Sequence, residues 1–181
     1  MKNIITLFTI LIISINSFAQ CDKLVHIKYD KFDKDTTYKS TYLLQNSYKT
    51  IELSFSYISG VSYGHLSVSL FGLIDLNDPY ADKNNGWVYP GNNGYIQFLF
   101  ENGETGKLEN AKENGDKFFS TGFWRNNYDK RSGYRLELLN KLQTLNLESL
   151  RYHTSNGNFD FDLTTKQQSD LKKIFKCVYP W

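Results

Sequence analysis

Beyond residue 20 the chain opens with clean alternation of apolar and polar positions. Val25, Ile27 and Tyr29 alternate with His26, Lys28 and Asp30, and Ile51, Leu53, Phe55 and Tyr57 alternate with Glu52, Ser54 and Ser56. A period of two marks strands with one buried face, and Tyr38 to Leu44 reads as a strand between these two. Val61 and Tyr63 put apolar residues on odd positions, whereas Leu66, Val68 and Leu70 put them on even ones. This switch of parity across Gly64-His65 predicts a β-bulge. The alternation stops from Asp75 to Gly94, a segment holding Pro79, Gly86, Pro90 and Gly91, and a long loop is expected there. Tyr95 to Phe100 resumes a strand, and Glu101-Asn102-Gly103-Glu104 reads as the turn after it. The pattern defines no element over residues 107–133. Tyr134 to Leu139 reads as a strand or as the start of a short helix reaching Leu142.

The C-terminal third has the sharpest signals. Leu147 to Thr154 and Asn158 to Leu163 flank Asn156-Gly157, a dipeptide suited to a tight hairpin because both central residues of a type I′ turn need positive φ. A two-residue loop at Asn156-Gly157 pairs Ser155 with Asn158. Counting back, Tyr152 then faces Phe161 and Leu150 faces Leu163, while Arg151 faces Asp162 and His153 faces Asp160 on the opposite side. Thr164 followed by Gln167 forms a capping box for a helix whose apolar stripe is Leu171, Ile174, Phe175 and Val178, with Pro180 ending it. The predicted fold class is α+β, mainly antiparallel β, a sandwich or open barrel with a C-terminal helix packed on the sheet.

The run from Tyr95 to Cys177 carries a resemblance. Its residues are the apolar strand closing on Glu101-Asn102-Gly103, the stretch Leu150 to Gly157, Asp160 to Leu163, Gln167-Gln168 and Lys176-Cys177. In these it resembles small exported proteins of unknown function from Gram-negative bacteria. The shared motifs are structural, so the resemblance implies export and fold and supplies no activity.

The N-terminus adds to the export reading. Lys2, an apolar run from Ile4 to Ile13 and the small-x-small triplet Ser17-Phe18-Ala19 form a signal peptide over residues 1–19, with residues 20–181 as a single β-rich domain. The apolar run falls short of the roughly 20 residues that a membrane-spanning helix needs. No integral membrane segment is therefore expected after cleavage, and the location is periplasmic or secreted. Removing Lys2 with the leader leaves 20 basic residues against 19 acidic ones, and that balance argues against a nucleic-acid partner. Two cysteines, Cys21 and Cys177, allow one intramolecular disulfide in an oxidising compartment. The alternatives are a lipid on Cys21 or two separate thiols.

Motifs for chemistry are sparse. His26, His65 and His153 each fall on a strand's polar face, and Ser67 lies two residues along the strand from His65, roughly 7 Å by strand rise and out of reach for activation. There is no G-x-S-x-G elbow and no H-E-x-x-H or C-x-x-C spacing. No catalytic residue, metal ligand or cofactor is therefore assigned. Glu101 with Glu104, and Asp160 with Asp162, are carboxylate pairs of the kind glycosidases use, but such pairs are common on any surface. Asp75, Asn77, Asp78, Asp82, Asn84 and Asn85 supply oxygen ligands in the long segment, where the same residues also build turns. Thirteen Tyr, thirteen Phe and three Trp make the chain aromatic-rich. Tyr80, Trp87, Tyr89 and Tyr95 lie in or beside the long segment, interleaved with Asn and Gly, which suits sugar stacking or a protein contact. The competing role for Trp87 and Tyr89 is a lid over the core. The expected function is an exported, non-enzymatic binding domain for a protein or glycan, and the alternative is a small hydrolase of cell-envelope or environmental polymers.

Overall fold

The structure is a computed structural model and describes residues 21, 23–45, 49–59, 63–72, 87–88, 93–110, 119–124, 130–154 and 157–180. In chain order the elements are β1 (His26–Asp30), β2 (Asp35–Gln45), β3 (Lys49–Ile58), β4 (Tyr63–Gly72), β5 (Trp87–Val88), β6 (Tyr95–Phe100), β7 (Thr105–Glu109), β8 (Phe119–Trp124), α1 (Lys130–Thr144), β9 (Leu147–Thr154), β10 (Gly157–Asp162) and α2 (Thr165–Val178). Every strand pairing is antiparallel. The first sheet runs β1-β2-β3-β4, and the far edge of β4 is shared by β5 and β8; the second sheet runs β10-β9-β6-β7. The fold is α+β with mainly antiparallel sheet and a C-terminal helix packed on it.

The alternation read from the sequence sets the inner faces. Ile51, Leu53, Phe55 and Tyr57 of β3 are buried, as are Ile96, Phe98 and Phe100 of β6. Both sheets and both helices contribute to one hydrophobic core. Across it, Phe119 of the first sheet meets Tyr152 of the second edge to face at 6.0 Å. Phe175 of α2 meets Phe55 at 5.1 Å and Phe123 at 6.4 Å. Helix α2 starts at the capping box read from the sequence: Thr164 Oγ1 accepts from the Gln167 amide while Gln167 Oε1 accepts from the Thr164 amide. Its other end is held from α1, where Gln143 Nε2 donates to the carbonyls of Phe175 and Tyr179.

Four local expectations change. First, β4 pairs with β3 in unbroken register from Lys49 opposite Gly72 to Tyr57 opposite Gly64, so there is no bulge at Gly64-His65. By strand periodicity Gly64 shares its face with positions 66, 68 and 70, and Tyr63 is the first residue of the strand. A register shift occurs instead between Leu99 and Phe100, where β6 meets β9. Second, the hairpin pairs Thr154 with Gly157, Tyr152 with Phe159 and Arg151 with Asp160. This is two residues away from the pairing counted from Asn156-Gly157. A slip of two preserves which side chains face inward, so hydrophobic parity could not separate the two registers. Positive φ falls on Gly157, at +114°, as the first residue of β10. Third, Lys130–Thr144 is a helix, which resolves Tyr134 to Leu142, while β7 and β8 lie in the stretch where the pattern defined nothing. Fourth, β5 lies inside the segment expected to be a loop, with Trp87 opposite Phe71.

Cys21 and Cys177 are bonded, with an S–S distance of 2.03 Å and α-carbons 5.6 Å apart. This disulfide joins the segment preceding β1 to the last turn of α2. The same segment is also pinned by the Ser40 hydroxyl donating to the Leu24 carbonyl at 2.6 Å and by burial of Val25. No helix among the described residues is long and apolar enough to cross a membrane.

Candidate functional site

Because Leu171, Ile174, Phe175 and Val178 turn inward, helical periodicity places Thr165, Ser169, Lys172 and Lys176 along the opposite, outward stripe of α2. A groove of about 670 Å³ follows this stripe. It is also lined by Ile27 of β1, Tyr38 of β2, Asn146, the Cys21–Cys177 disulfide and Pro180. Lys172, Lys173 and Lys176 are its charged residues, and no described carboxylate lines it. Lys172 Nζ donates to Asn146 Oδ1 at 2.8 Å, and Asn146 Nδ2 donates in turn to Glu101 at 2.9 Å. The Lys172 ammonium is thereby fixed in direction. Gln168 donates to the Leu163 carbonyl.

A second concavity of about 530 Å³ lies on the other side of β1 and shares Ile27 with the first. It is formed by the segment Lys23 to Ile27 and by Lys39, Ser40 and Thr41 of β2. Its charged or chargeable residues are Lys23, Lys39 and His26, again with no described carboxylate.

Tyr95, the sequence candidate whose side chain is described, sits on the outer face of the second sheet. Its ring stacks on His153 of β9 at 4.5 Å and 15°, and Lys107 of β7 places its ammonium 4.3 Å from the ring centre. Neighbours from the two adjacent strands thus engage the ring. Tyr80 and Tyr89 lie outside the described residues, as do Asp75, Asn77, Asp78, Asp82, Asn84 and Asn85. Trp87 is placed by its backbone alone, on β5.

Outside the two concavities, the titratable groups with shifted pKa values are held mainly by partners. Arg151 Nε and Nη2 donate to the two Asp160 oxygens at 2.7 Å each, and this fork holds the Asp160 carboxyl below the usual range. Lys141 lies 2.9 Å from both Glu104 and Glu137; it holds Glu104 low, and its own pKa is pushed up to about 12. Asp170 is lowered first by its hydrogen bond from Lys166 and further by one from the Tyr42 hydroxyl. Burial, followed by the Asp170 charge, raises Tyr42 to about 12. His153 is not poised against Asp160, because in the observed register its Nδ1 meets Asn158 Oδ1 at 2.6 Å. Glu101 and Glu104 are tied to Asn146 and Lys141 respectively rather than to each other. Among the described residues no group of three or more His, Cys, Asp or Glu is arranged to hold a metal ion.

No family model, curated protein or solved structure matches this chain. The site therefore rests on its own geometry. The sequence reading used α2 for its buried stripe and passed over Lys172, Lys173 and Lys176. Their signal was the i, i+4 spacing of Lys172 and Lys176 opposite that stripe, masked by an overall charge close to balance.

Proposed function

We propose that this protein is an exported, non-enzymatic binding domain that holds a protein or glycan against the surface where α2 meets β1. The observation that carries this reading is the composition of the two concavities: lysines, one of them held by Asn146, and amides beside partly exposed apolar groups, with no described carboxylate to act as acid or base. Concave sites that mix apolar surface with a few oriented polar groups are the usual form of binding sites. The Cys21–Cys177 bond is compatible with an oxidising compartment outside the cytoplasm. Support for an exported form comes from the leader-like pattern of residues 1–19.

The test is to express the full chain in a bacterium with an intact export pathway and purify the released form. Its N-terminus is then sequenced, and it is screened against immobilised polysaccharides and envelope proteins, with each soluble polymer sized before and after incubation. Saturable binding with polymer length unchanged, on a chain beginning at Gln20, supports the proposal. Shortening of a polymer points to the hydrolase alternative and overturns it, and a chain retained with residues 1–19 overturns the export part.

A further inference from the structure

Taken together, the two concavities carry Lys23, Lys39, Lys172, Lys173 and Lys176 and no described carboxylate, in a chain of 21 basic and 19 acidic residues. Lys107 and Lys141, outside the concavities, are each matched with a carboxylate within 4 Å, and on α2 Lys166 is matched with Asp170. The five lysines of the concavities thus line two neighbouring surfaces that share Ile27. Clefts lined by one sign of charge raise the local concentration of the opposite sign.

We infer that the two concavities form one track for an anionic polysaccharide, which crosses β1 at Ile27 and follows the outward stripe of α2. This rests on the reading of the protein as a binding domain and names its ligand class. The cations are spread along the track rather than focused on one point. Lys172 and Lys176 are one turn apart, about 6 Å along the axis, and Thr165 to Lys176 spans about 17 Å. A polymer with repeating acidic groups matches that spread better than a single small anion. Beside the cations stand Ser169 and Thr41, whose hydroxyls both donate and accept, as sugar hydroxyls require. Tyr38, partly buried on the flank, offers aromatic surface to the apolar edge of a sugar ring. The composition also disfavours a protein partner, since protein interfaces are depleted in Lys and Ser and enriched in Arg and large aromatics. Lys173 and Lys176 make no ion pair within 4 Å among the described residues, and the Asp170 carboxylate, whose charge Lys173 feels, is already held by Lys166 and Tyr42.

The test uses the exported protein and polygalacturonate as the acidic probe. Dextran serves as the neutral polymer, and poly-glutamate and single-stranded DNA serve as polyanions without uronate rings; each is titrated by calorimetry at low and at 0.5 M salt. The expected result is binding of polygalacturonate that weakens steeply with salt and falls about tenfold or more in Lys173→Gln/Lys176→Gln, while Lys107→Gln binds as the wild type does. Folding of each variant is checked by circular dichroism. Absence of polygalacturonate binding, equal loss in Lys107→Gln, or equal affinity for poly-glutamate or DNA overturns the inference. Binding of dextran alone overturns it and leaves the binding-domain reading intact, whereas shortening of the polygalacturonate chain overturns that reading itself.

Discussion

Replacing both cysteines, in Cys21→Ser/Cys177→Ser, is expected to lower stability by several kcal/mol without abolishing the fold. The bond closes a loop across a sequence separation of 156 residues. Loop closure of that length gives about 5 kcal/mol in the chain-entropy model, and native disulfides measured by removal fall at about 2–5 kcal/mol. For a domain of this size, 1 kcal/mol corresponds to roughly 2–4 °C in melting temperature, so the variant should melt roughly 5–20 °C lower. The fold should survive because the N-terminal segment has other anchors. Val25 is buried, Ser40 donates to the Leu24 carbonyl, and β1 pairs with β2 from His26 opposite Lys39 to Asp30 opposite Asp35. Equilibrium unfolding in guanidinium, followed by far-ultraviolet circular dichroism and tryptophan fluorescence, measures the difference. A loss below about 1 kcal/mol would refute the reasoning, because the unfolded chain would then have to be nearly as compact without the bond as with it. Loss of all cooperative unfolding would refute the other half, that the terminal segment is held independently.

The sequence made the fold legible where one face of an element had to be buried. The alternation of Ile51 to Tyr57 and the stripe of α2 with its Thr164–Gln167 box appear in the structure as read, because burial and capping are local and directional. Register in the last hairpin was half legible. Parity fixed which face of β9 and β10 turns inward, but the step of two between Asp160 and Asp162 as the partner of Arg151 is set by the turn. Strand β8 escaped because Phe119 and Phe123 are buried on one face while Ser120 is covered on the other, which removes the contrast that alternation needs. The lysines of α2 were visible as letters, but the groove they line is a property of three dimensions: Ile27, Tyr38, Asn146 and Lys172 lie far apart in the chain and line one surface only after folding.

A double-mutant cycle on Arg151 and Asp160 should return a small favourable coupling, as for an exposed pair of good geometry; the same cycle on Arg151 and Asp162 should return none, and the reverse order would restore the register counted from the turn. Asp170→Asn should lose on the order of 0.5–1.5 kcal/mol at neutral pH. Partners lower the Asp170 pKa in the folded state, so this contribution is present above the unfolded value near 4 and is lost as pH falls through the folded one; a difference between wild type and variant that persists at pH 2 would contradict the assignment. The last prediction concerns Gly106, which is buried in β7 under α1. A β-carbon there would run into the Leu138 side chain, and Leu138 is itself almost fully buried. Since Tyr134 of the same helix accepts from the Lys107 amide at 2.8 Å, α1 is pinned beside the contact and cannot simply lift away. Gly106→Ala should therefore cost about 1–3 kcal/mol by overpacking. Leu138→Ala should in turn cost less in the Gly106→Ala background than alone, because the added methyl fills part of the space the leucine leaves. Strict additivity of the two would mean that Gly106 and Leu138 do not touch, and the seating of α1 on β7 would have to be redrawn.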